Sequence, residues 1–341
     1  MNILIFIGIL SFFYFKNAEA ISEDVVKDQY WKWKTKYRDS DQESEVPYVI
    51  FRQTLMKVAQ HELQYFTKRS SYTYKLNGRS ADTFSEMALW NGLLVDNSIN
   101  EAAVIRNKRS INMTGVYNFP PAPPSWDWSE QGYVTDVDDQ GYYCGSCYSF
   151  ATACAMEGQY MKVHKNLRKF SKQQTVDCSR SFGNFGCEGG YLNATFKYII
   201  QNNGITNETF YPYVGVDENC YYNSSMYAGS VSGYDFVYGD EENLKRALYA
   251  IGPLAIGMKG DIESFYYYGG GIFDDANCFG AINHAVCLVG YGTDNTTNPP
   301  TDYWIAKNSW STDWGEGGYF KLLRGSNLCN VSKYVVYPTV I

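Results

Sequence analysis

The sequence predicts an α+β protein, and three observations carry that reading. Early in the chain Phe51, Leu55, Val58/Ala59, Leu63 and Phe66 recur every three to four positions and so share one helix face. The run Asn-Phe-Pro-Pro-Ala-Pro-Pro at 118–124 then stops helix formation and reads as an extended linker. Beyond it the chain turns glycine- and tyrosine-rich, with short apolar strands at 285–291, 303–307 and 319–323. The 341 residues, 45% hydrophobic and 19% charged, suffice for about two globular domains and exclude disorder, collagen and coiled coil.

In chain order, segment 1–20 comes first. Its uncharged apolar run, residues 3–15, fits a secretory signal and is too short to span a bilayer. Ala18-Glu19-Ala20 supplies the small residues of a cleavage site, so a signal peptide is expected. No later stretch is apolar enough for a membrane span. The expected route is the secretory pathway, ending in a lysosome or outside the cell, where the nine cysteines can pair. Asn112, Asn193, Asn207, Asn223, Asn295 and Asn330 each open an Asn-x-Ser/Thr triplet and are glycosylation candidates.

Residues 21–121 form a leader with helical patterning. Tyr30-Trp-Lys-Trp-Lys-Thr-Lys-Tyr37 belongs to a first amphipathic helix, and Pro47 is placed at the start of a second, where proline is tolerated. The leader carries +2 and residues 122–341 carry −9, a split hidden inside the net charge of −7. That acidic balance argues against nucleic acid as a partner, because phosphate binding needs a basic face.

After the linker, Ser146 is expected to cap an alanine-rich helix over 147–161. Cys147 then stands in the first turn, where unpaired N–H groups and the helix dipole stabilise a thiolate. Its own N–H is a candidate oxyanion donor. Only three histidines are available. His61 lies in the leader and His164 near the far end of the Cys147 helix, so His284 remains as the base. It opens an apolar strand 137 residues after Cys147, an interval suited to a Cys–His catalytic pair. Asn308, in Lys-Asn-Ser-Trp-Ser-Thr-Asp-Trp-Gly315, is the candidate to orient the ring, and 293–301 reads as a hydrophilic loop. There is no second Cys-x-x-Cys pair, so no metal is expected, and no cofactor either.

These blocks resemble the papain-like cysteine peptidases, with the layout of the cathepsin L branch. The resemblance covers essentially the whole chain: Pro-x-x-x-Asp-Trp at 123–128, Gln140 through Cys147, Cys187-Glu-Gly-Gly190, the His284 strand, Asn308-Ser-Trp310 and Tyr337-Pro-Thr-Val340. It implies a papain-like two-subdomain fold, with a helical half bearing Cys147 and a β-barrel-like half bearing His284 and Asn308 across a cleft. It implies a monomeric cysteine endopeptidase at 122–341, acting on proteins and peptides through a thiolate–imidazolium pair. Gln140 would be the second oxyanion donor, Trp310 would shield the His284–Asn308 bond, and Trp314 would flank the leaving group. Gly189 and Gly190 would pair with the substrate backbone. Tyr191, Leu192, Gly257, Ile282, Ala285 and Tyr334 would line an apolar pocket for the second residue before the scissile bond.

The same resemblance implies disulfides Cys144–Cys187, Cys178–Cys220 and Cys278–Cys329. Cys154 and Cys287 are then expected as buried free thiols, with a fourth bridge as the alternative. The leader resembles an inhibitory propeptide that runs backwards through the cleft. Glu43, Phe51 and Val58 fit its helix motif, and Ala81-Asp82 keeps part of a second one. The charge split predicts faster leader removal at acidic pH. No paired-histidine loop or added exclusion domain is present to make the enzyme an exopeptidase. Three departures stand out: one extra residue between Gln140 and Cys144, Tyr148 for the usual Trp, and Ser311 for the usual Gly. The first and third leave room for a rival class, a catalytically weak or inactive binding protein on this fold.

Overall fold

A computed structural model of the chain describes residues 21–38, 45–95 and 119–341. The expected signal segment 1–20, Glu43 and the sequon at Asn112 lie outside the described residues. In the leader, helices α1 (Glu23–Tyr37) and α2 (Glu45–Phe66) close on a small core of Val26, Tyr30, Trp33, Phe51, Leu55 and Ala81. The Phe51 ring lies 5.4 Å from both Tyr30 and Trp33. The α2 stripe is buried through Val58 only. Leu63 and Phe66, expected on the same face, are exposed because the helix runs past that core. Strand β1 (Tyr72–Tyr74) and helix α3 (Phe84–Ala88) follow, the latter started by a Thr83–Glu86 capping box.

The rest comprises β2 (Trp126–Asp127), α4 (Cys147–His164), α5 (Lys172–Cys178), α6 (Leu192–Gln201), β3 (Ile205–Thr206) and β4 (Tyr227–Gly229). Then come β5 (Val231–Phe236), α7 (Glu241–Ile251), β6 (Leu254–Met258), α8 (Glu263–Tyr266) and β7 (Tyr268–Phe273). The chain ends with β8 (His284–Asp294), β9 (Thr301–Lys307), β10 (Tyr319–Leu323) and β11 (Tyr334–Val340). The nine-stranded sheet has the order β1-β7-β10-β9-β8-β6-β11-β5, with β2 on β8. The leader therefore joins the sheet: β1 pairs antiparallel with β7, Tyr72 opposite Gly271.

This is the expected α+β, two-halved papain-like architecture. One core, including Phe265, Trp304, Trp314 and Phe320, fills the β-rich half. A second, with Tyr148, Met156, Phe196 and Ile199, fills the helical half. Helix α4 is buried from Cys147 through Tyr160 and runs between α6 and strands β6, β8 and β11. A helix buried on every side carries mostly apolar or small residues, and here the exception Glu157 accepts from the Thr135 hydroxyl at 2.6 Å and the Phe170 N–H at 2.9 Å. Gly158 allows the turn before β6 to touch it, since a Cβ there would lie 2.5 Å from Pro253. Among the described residues no helix is long and apolar enough to cross a membrane, and no cluster of potential metal ligands occurs.

Two local expectations are corrected. Ser146 precedes α4 but does not cap it; its hydroxyl instead meets the Tyr213 hydroxyl at 2.6 Å. Cys154 and Cys287 are not free thiols but a fourth disulfide, beside the three expected ones. Cys154 lies two turns beyond Cys147 on the same face of α4, and Cys287 three residues into β8. Packing α4 on β8 brings their Cα atoms to 6.2 Å across 133 residues of sequence. Cys147 is the one free cysteine.

Alkylation of the denatured, unreduced chain should therefore label one thiol, counted by intact mass; three labelled thiols would contradict the fourth bridge. Joint substitution Cys154→Ala/Cys287→Ala should cost about 2–5 kcal/mol in denaturant unfolding.

Candidate active site

Cys147 is the first residue of α4 and is fully buried. The Cys144–Cys187 bridge and the Gly145 N–H to Cys187 carbonyl bond, 2.8 Å, fix the chain entering the helix. Ser146 gives no side-chain cap; the Ser149 N–H bonds the Ser146 carbonyl at 2.8 Å, and the Cys147 and Tyr148 N–H groups are left for the sulfur. Burial pushes the Cys147 thiol up to about 11, against the pull of the N–H groups of Ala285, Gly92, Tyr148 and Cys147 itself. The Ala285 contact puts the start of β8 directly at the sulfur. Tyr148, in place of the usual Trp, is buried and donates to the Gly186 carbonyl at 3.1 Å.

His284 opens β8 and is also fully buried. Its Nε2 lies 2.9 Å from Asn308 Oδ1, which also accepts from the Ser309 N–H at 2.9 Å. Two acceptor contacts identify that atom as oxygen, so Nε2 carries the proton and Nδ1 is left as acceptor. Nδ1 is buried with no hydrogen-bond partner. Trp310 roofs the ring at 4.6 Å between centroids. Burial pulls the imidazole down to about 4, opposed by Asn308 and the nearby Trp90 backbone. With the leader in place the pair is therefore a neutral thiol and a neutral imidazole.

The extra residue before Cys144 does not displace Gln140. Its Nε2 donates to the Cys144 carbonyl at 2.9 Å and to the Trp90 carbonyl of the leader at 3.1 Å. Its Oε1 is held by the Ser309 hydroxyl at 2.7 Å. Ser309 and Trp90 escaped the sequence reading, although Ser309 adjoins the orienting Asn308.

The leader lies across this site as an extended peptide. Gly190 donates to the Gly92 carbonyl and accepts from Leu94 N–H, both at 2.9 Å, and Leu93 N–H donates to the Asn283 carbonyl at 3.0 Å. The Leu93–Gly190 pairing is parallel. Gly92 passes so close that a Cβ there would sit 1.7 Å from the Gly145 carbonyl. Gly189, at φ +119°, has its own Cβ direction blocked by the Gly92 carbonyl at 2.5 Å.

Leu93 is buried in one cluster with Leu192, Ala285 and Tyr334, and Ile282 packs against it. A Cβ on Gly257 would meet Leu93, Ile282 and Tyr334 at 2.7–3.0 Å, so these expected pocket residues do converge on one side chain. Tyr191 differs: its backbone bonds Asn184 and Thr195 at the start of α6. On the other side Trp314 is buried beside Trp310, with its indole N–H on the Phe265 and Tyr266 carbonyls. Trp90 stacks 4.6 Å from Trp310. The sequence clue to this strip was a glycine flanked by bulky groups, Trp90-Asn-Gly-Leu-Leu94.

Ser311 keeps its loop in the glycine-like conformation, at φ +68°. Among the described sequons, Asn223 and Asn295 are exposed and Asn207 and Asn330 half-buried, while Asn193 is buried in α6 with its Oδ1 holding the Tyr334 hydroxyl at 3.2 Å.

Comparison with known proteins gives concordant results. A family model described as papain family cysteine protease matches residues 122–339. Cathepsin L of Sarcophaga peregrina is 35% identical over 95% of this chain and 96% of its own length. A cathepsin L-like peptidase of Aedes aegypti is 35% identical over the full length of both. The solved structure of digestive procathepsin L 3 from Tenebrio molitor larval midgut superposes with a TM-score of 0.81 at 32% identity, covering 92% of this chain and 99% of that one.

The left-handed φ at a non-glycine residue is a cost of about 1–2 kcal/mol. Ser311→Gly should therefore raise unfolding free energy by about 0.5–1 kcal/mol after glycine's extra chain entropy is counted. An unchanged or lowered midpoint in denaturant would contradict a strained Ser311.

Proposed function

The chain belongs to the papain family of cysteine proteases, and from that premise we propose that it is a cathepsin L-like endopeptidase made as a zymogen, with Cys147, His284, Asn308 and Gln140 as its catalytic groups. The observation that carries this reading is the peptide Trp90–Leu94 of the leader, hydrogen-bonded across Cys147 with a leucine in the pocket beside it.

Once the leader leaves and water and substrate replace it, the Cys147 proton passes to His284 Nδ1, the acceptor left free by the Asn308 bond. Helix N–H groups hold the resulting thiolate. The sulfur attacks the scissile carbonyl, whose oxygen takes charge between the Cys147 N–H and the Gln140 amide. His284 returns the proton to the leaving amine as the C–N bond breaks. Water, deprotonated by His284, then cleaves the thioester and regenerates Cys147. The leader pairs parallel with Gly190 and so presents its peptide to Cys147 in the reverse direction. It is held without being cut. Leu93 supports a preference for leucine-like side chains in the same pocket. The rival reading of an inactive binding protein loses its motives, since Gln140 reaches the site and Ser311 preserves its loop.

We assign residues 1–20 to a signal peptide, 21–121 to the propeptide and 122–341 to the mature enzyme, acting as a monomer in a lysosome or outside the cell. Four disulfides support the secretory route. Asn112, Asn207, Asn223, Asn295 and Asn330 remain glycosylation candidates, whereas burial argues against Asn193.

Acid release of the leader has two candidate causes. The ion pairs Lys36–Asp313 and Lys57–Glu263 cross to the enzyme, but both are exposed and each contributes only about 0–1 kcal/mol. His61 is the better candidate. It is buried behind β1, with Nε2 at 3.0 Å from the Tyr72 carbonyl and 3.1 Å from the Ser70 hydroxyl, and it stacks on Tyr74 at 3.7 Å. Burial lowers its pKa, opposed by the Tyr72 backbone, Asp275 and Asp274. A released leader therefore binds a proton on His61 below about pH 6.5 that the docked leader refuses, so docking weakens as pH falls through that value.

An epoxide inhibitor bearing a leucine side chain should label Cys147 of the acid-activated chain, and His284→Ala should abolish labelling. Its arginine counterpart should react about tenfold more slowly. No labelling of the wild-type protein would refute the enzyme assignment. In a Cys147→Ala chain, unable to process itself, the opening of Tyr72–Tyr74, read by hydrogen exchange corrected for the intrinsic pH dependence of the amide rate, should rise from pH 7 to 5. His61→Gln should flatten that rise; an unaltered profile would clear His61.

A further inference from the structure

The extra residue that lengthens the segment between Gln140 and Cys144 has a structural outcome that the catalytic chemistry does not use. Two side chains, Tyr142 and Tyr143, stand where the family layout has room for one. Tyr143 is turned out and is 75% exposed. Tyr142 is turned onto the leader. The Arg79 guanidinium lies 4.3 Å from the Tyr142 ring and 3.6 Å from the Trp90 ring, so it is held between the two aromatics. Arg38, just after α1, lies 4.9 Å from the same tyrosine ring.

The backbone of this loop takes part as well. The Gly141 carbonyl accepts from Arg79 Nη2 at 3.0 Å and from the Trp90 indole N–H at 2.8 Å. Arg79 is in turn neutralised by Asp82, whose Oδ2 is 3.0 Å from Nη1. On the leader side the fit is tight, since a Cβ on Gly78 would come within 2.3 Å of the Tyr142 hydroxyl. A desolvated guanidinium against an aromatic face is attracted by the ring quadrupole.

We propose that this lengthened loop is a docking surface for the chain's own leader, in which Tyr142 grips Arg79 and thereby seats Trp90 over the catalytic pair. The proposal rests on the reading of the leader as an inhibitor and adds the residues that make the recognition specific. Trp90 links the clamp to the site: its indole N–H and carbonyl bond Gly141 and Gln140 in turn. Seating Arg79 thus places a leader carbonyl on the candidate oxyanion donor. A leader with an uncharged residue in place of Arg79 would lack the cation for Tyr142, and would dock less tightly. The clamp selects this leader over others of similar helical fold.

Tyr142 is the cleaner place to test this, because removing Arg79 would also leave Asp82 without a partner. The measurement is the rate at which an epoxide labels Cys147 in the intact, unprocessed chain at neutral pH, where leader docking protects the thiol. Tyr142→Ala should raise that rate roughly tenfold, whereas Tyr142→Phe, which keeps the ring, should leave it near wild type. Gly78→Ala should also raise it, and Gly78→Ala combined with Tyr142→Phe should restore protection by removing the clashing oxygen. After acid removal of the leader, Tyr142→Ala and wild type should turn over a peptide substrate within twofold of each other.

Protection of wild type with no change in Tyr142→Ala would overturn the clamp while leaving the inhibitor reading intact. Equal labelling of intact and processed wild-type protein would overturn both. A Tyr142→Ala enzyme whose processed form is also impaired would show that Tyr142 serves the catalytic loop, and would contradict its assignment to leader recognition.

Discussion

The structure depends on one junction, the packing of the α4 N-terminus against the start of β8. Cys147 and His284 are each the first residue of their element, so neither moves without moving a helix or a strand. The Cys154–Cys287 bridge ties the same two elements behind them. Neighbouring β9 delivers Asn308 just beyond its last residue, and Ser309 then fixes Gln140. One packing arrangement thus brings Cys147, His284, Asn308 and Gln140 together. The same junction is fully buried under the leader. In that dry setting neither charge is favoured, so the pair is held as thiol and imidazole, and activation amounts to returning water and a substrate carbonyl to it.

The leader occupies the groups proposed above to bind substrate. It takes both hydrogen-bonding groups of Gly190, the Gln140 amide and the apolar pocket formed by Leu192, Gly257, Ile282, Ala285 and Tyr334. Its own core is small, and its outer ion pairs with the enzyme are exposed. Inhibition therefore rests on several modest contacts made at once: β1 on β7, Arg79 between two rings, Trp90 on Trp310 and Leu93 in its pocket. Loss of any one weakens the others through the short chain connecting them.

The residues proposed as catalytic were legible in the sequence because their signals are local or enumerable. A helix-starting cysteine, a single unassigned histidine and an asparagine in a distinctive block need no tertiary knowledge. The pairing of Cys154 with Cys287 was not legible, since only the α4–β8 contact brings together residues 133 apart. Ser146 looked like a helix cap by type, but the Tyr213 hydroxyl competes for it in space. Leu63 and Phe66 kept helical spacing after the core that would cover them had ended. Asn193 met the rule for a glycosylation triplet, yet α6 turns it inward toward Tyr334. In each case the pattern was sound and the neighbour was unknown.

The central claim is that the leader keeps the catalytic pair buried and uncharged. Nitrogen NMR of the ring of His284 in the intact, unprocessed wild-type chain, with Cys147 in place and its three histidines labelled, addresses this directly. At pH 6 the account predicts a neutral imidazole with its proton on Nε2, facing Asn308. An imidazolium at pH 6, or a proton on Nδ1, would contradict it.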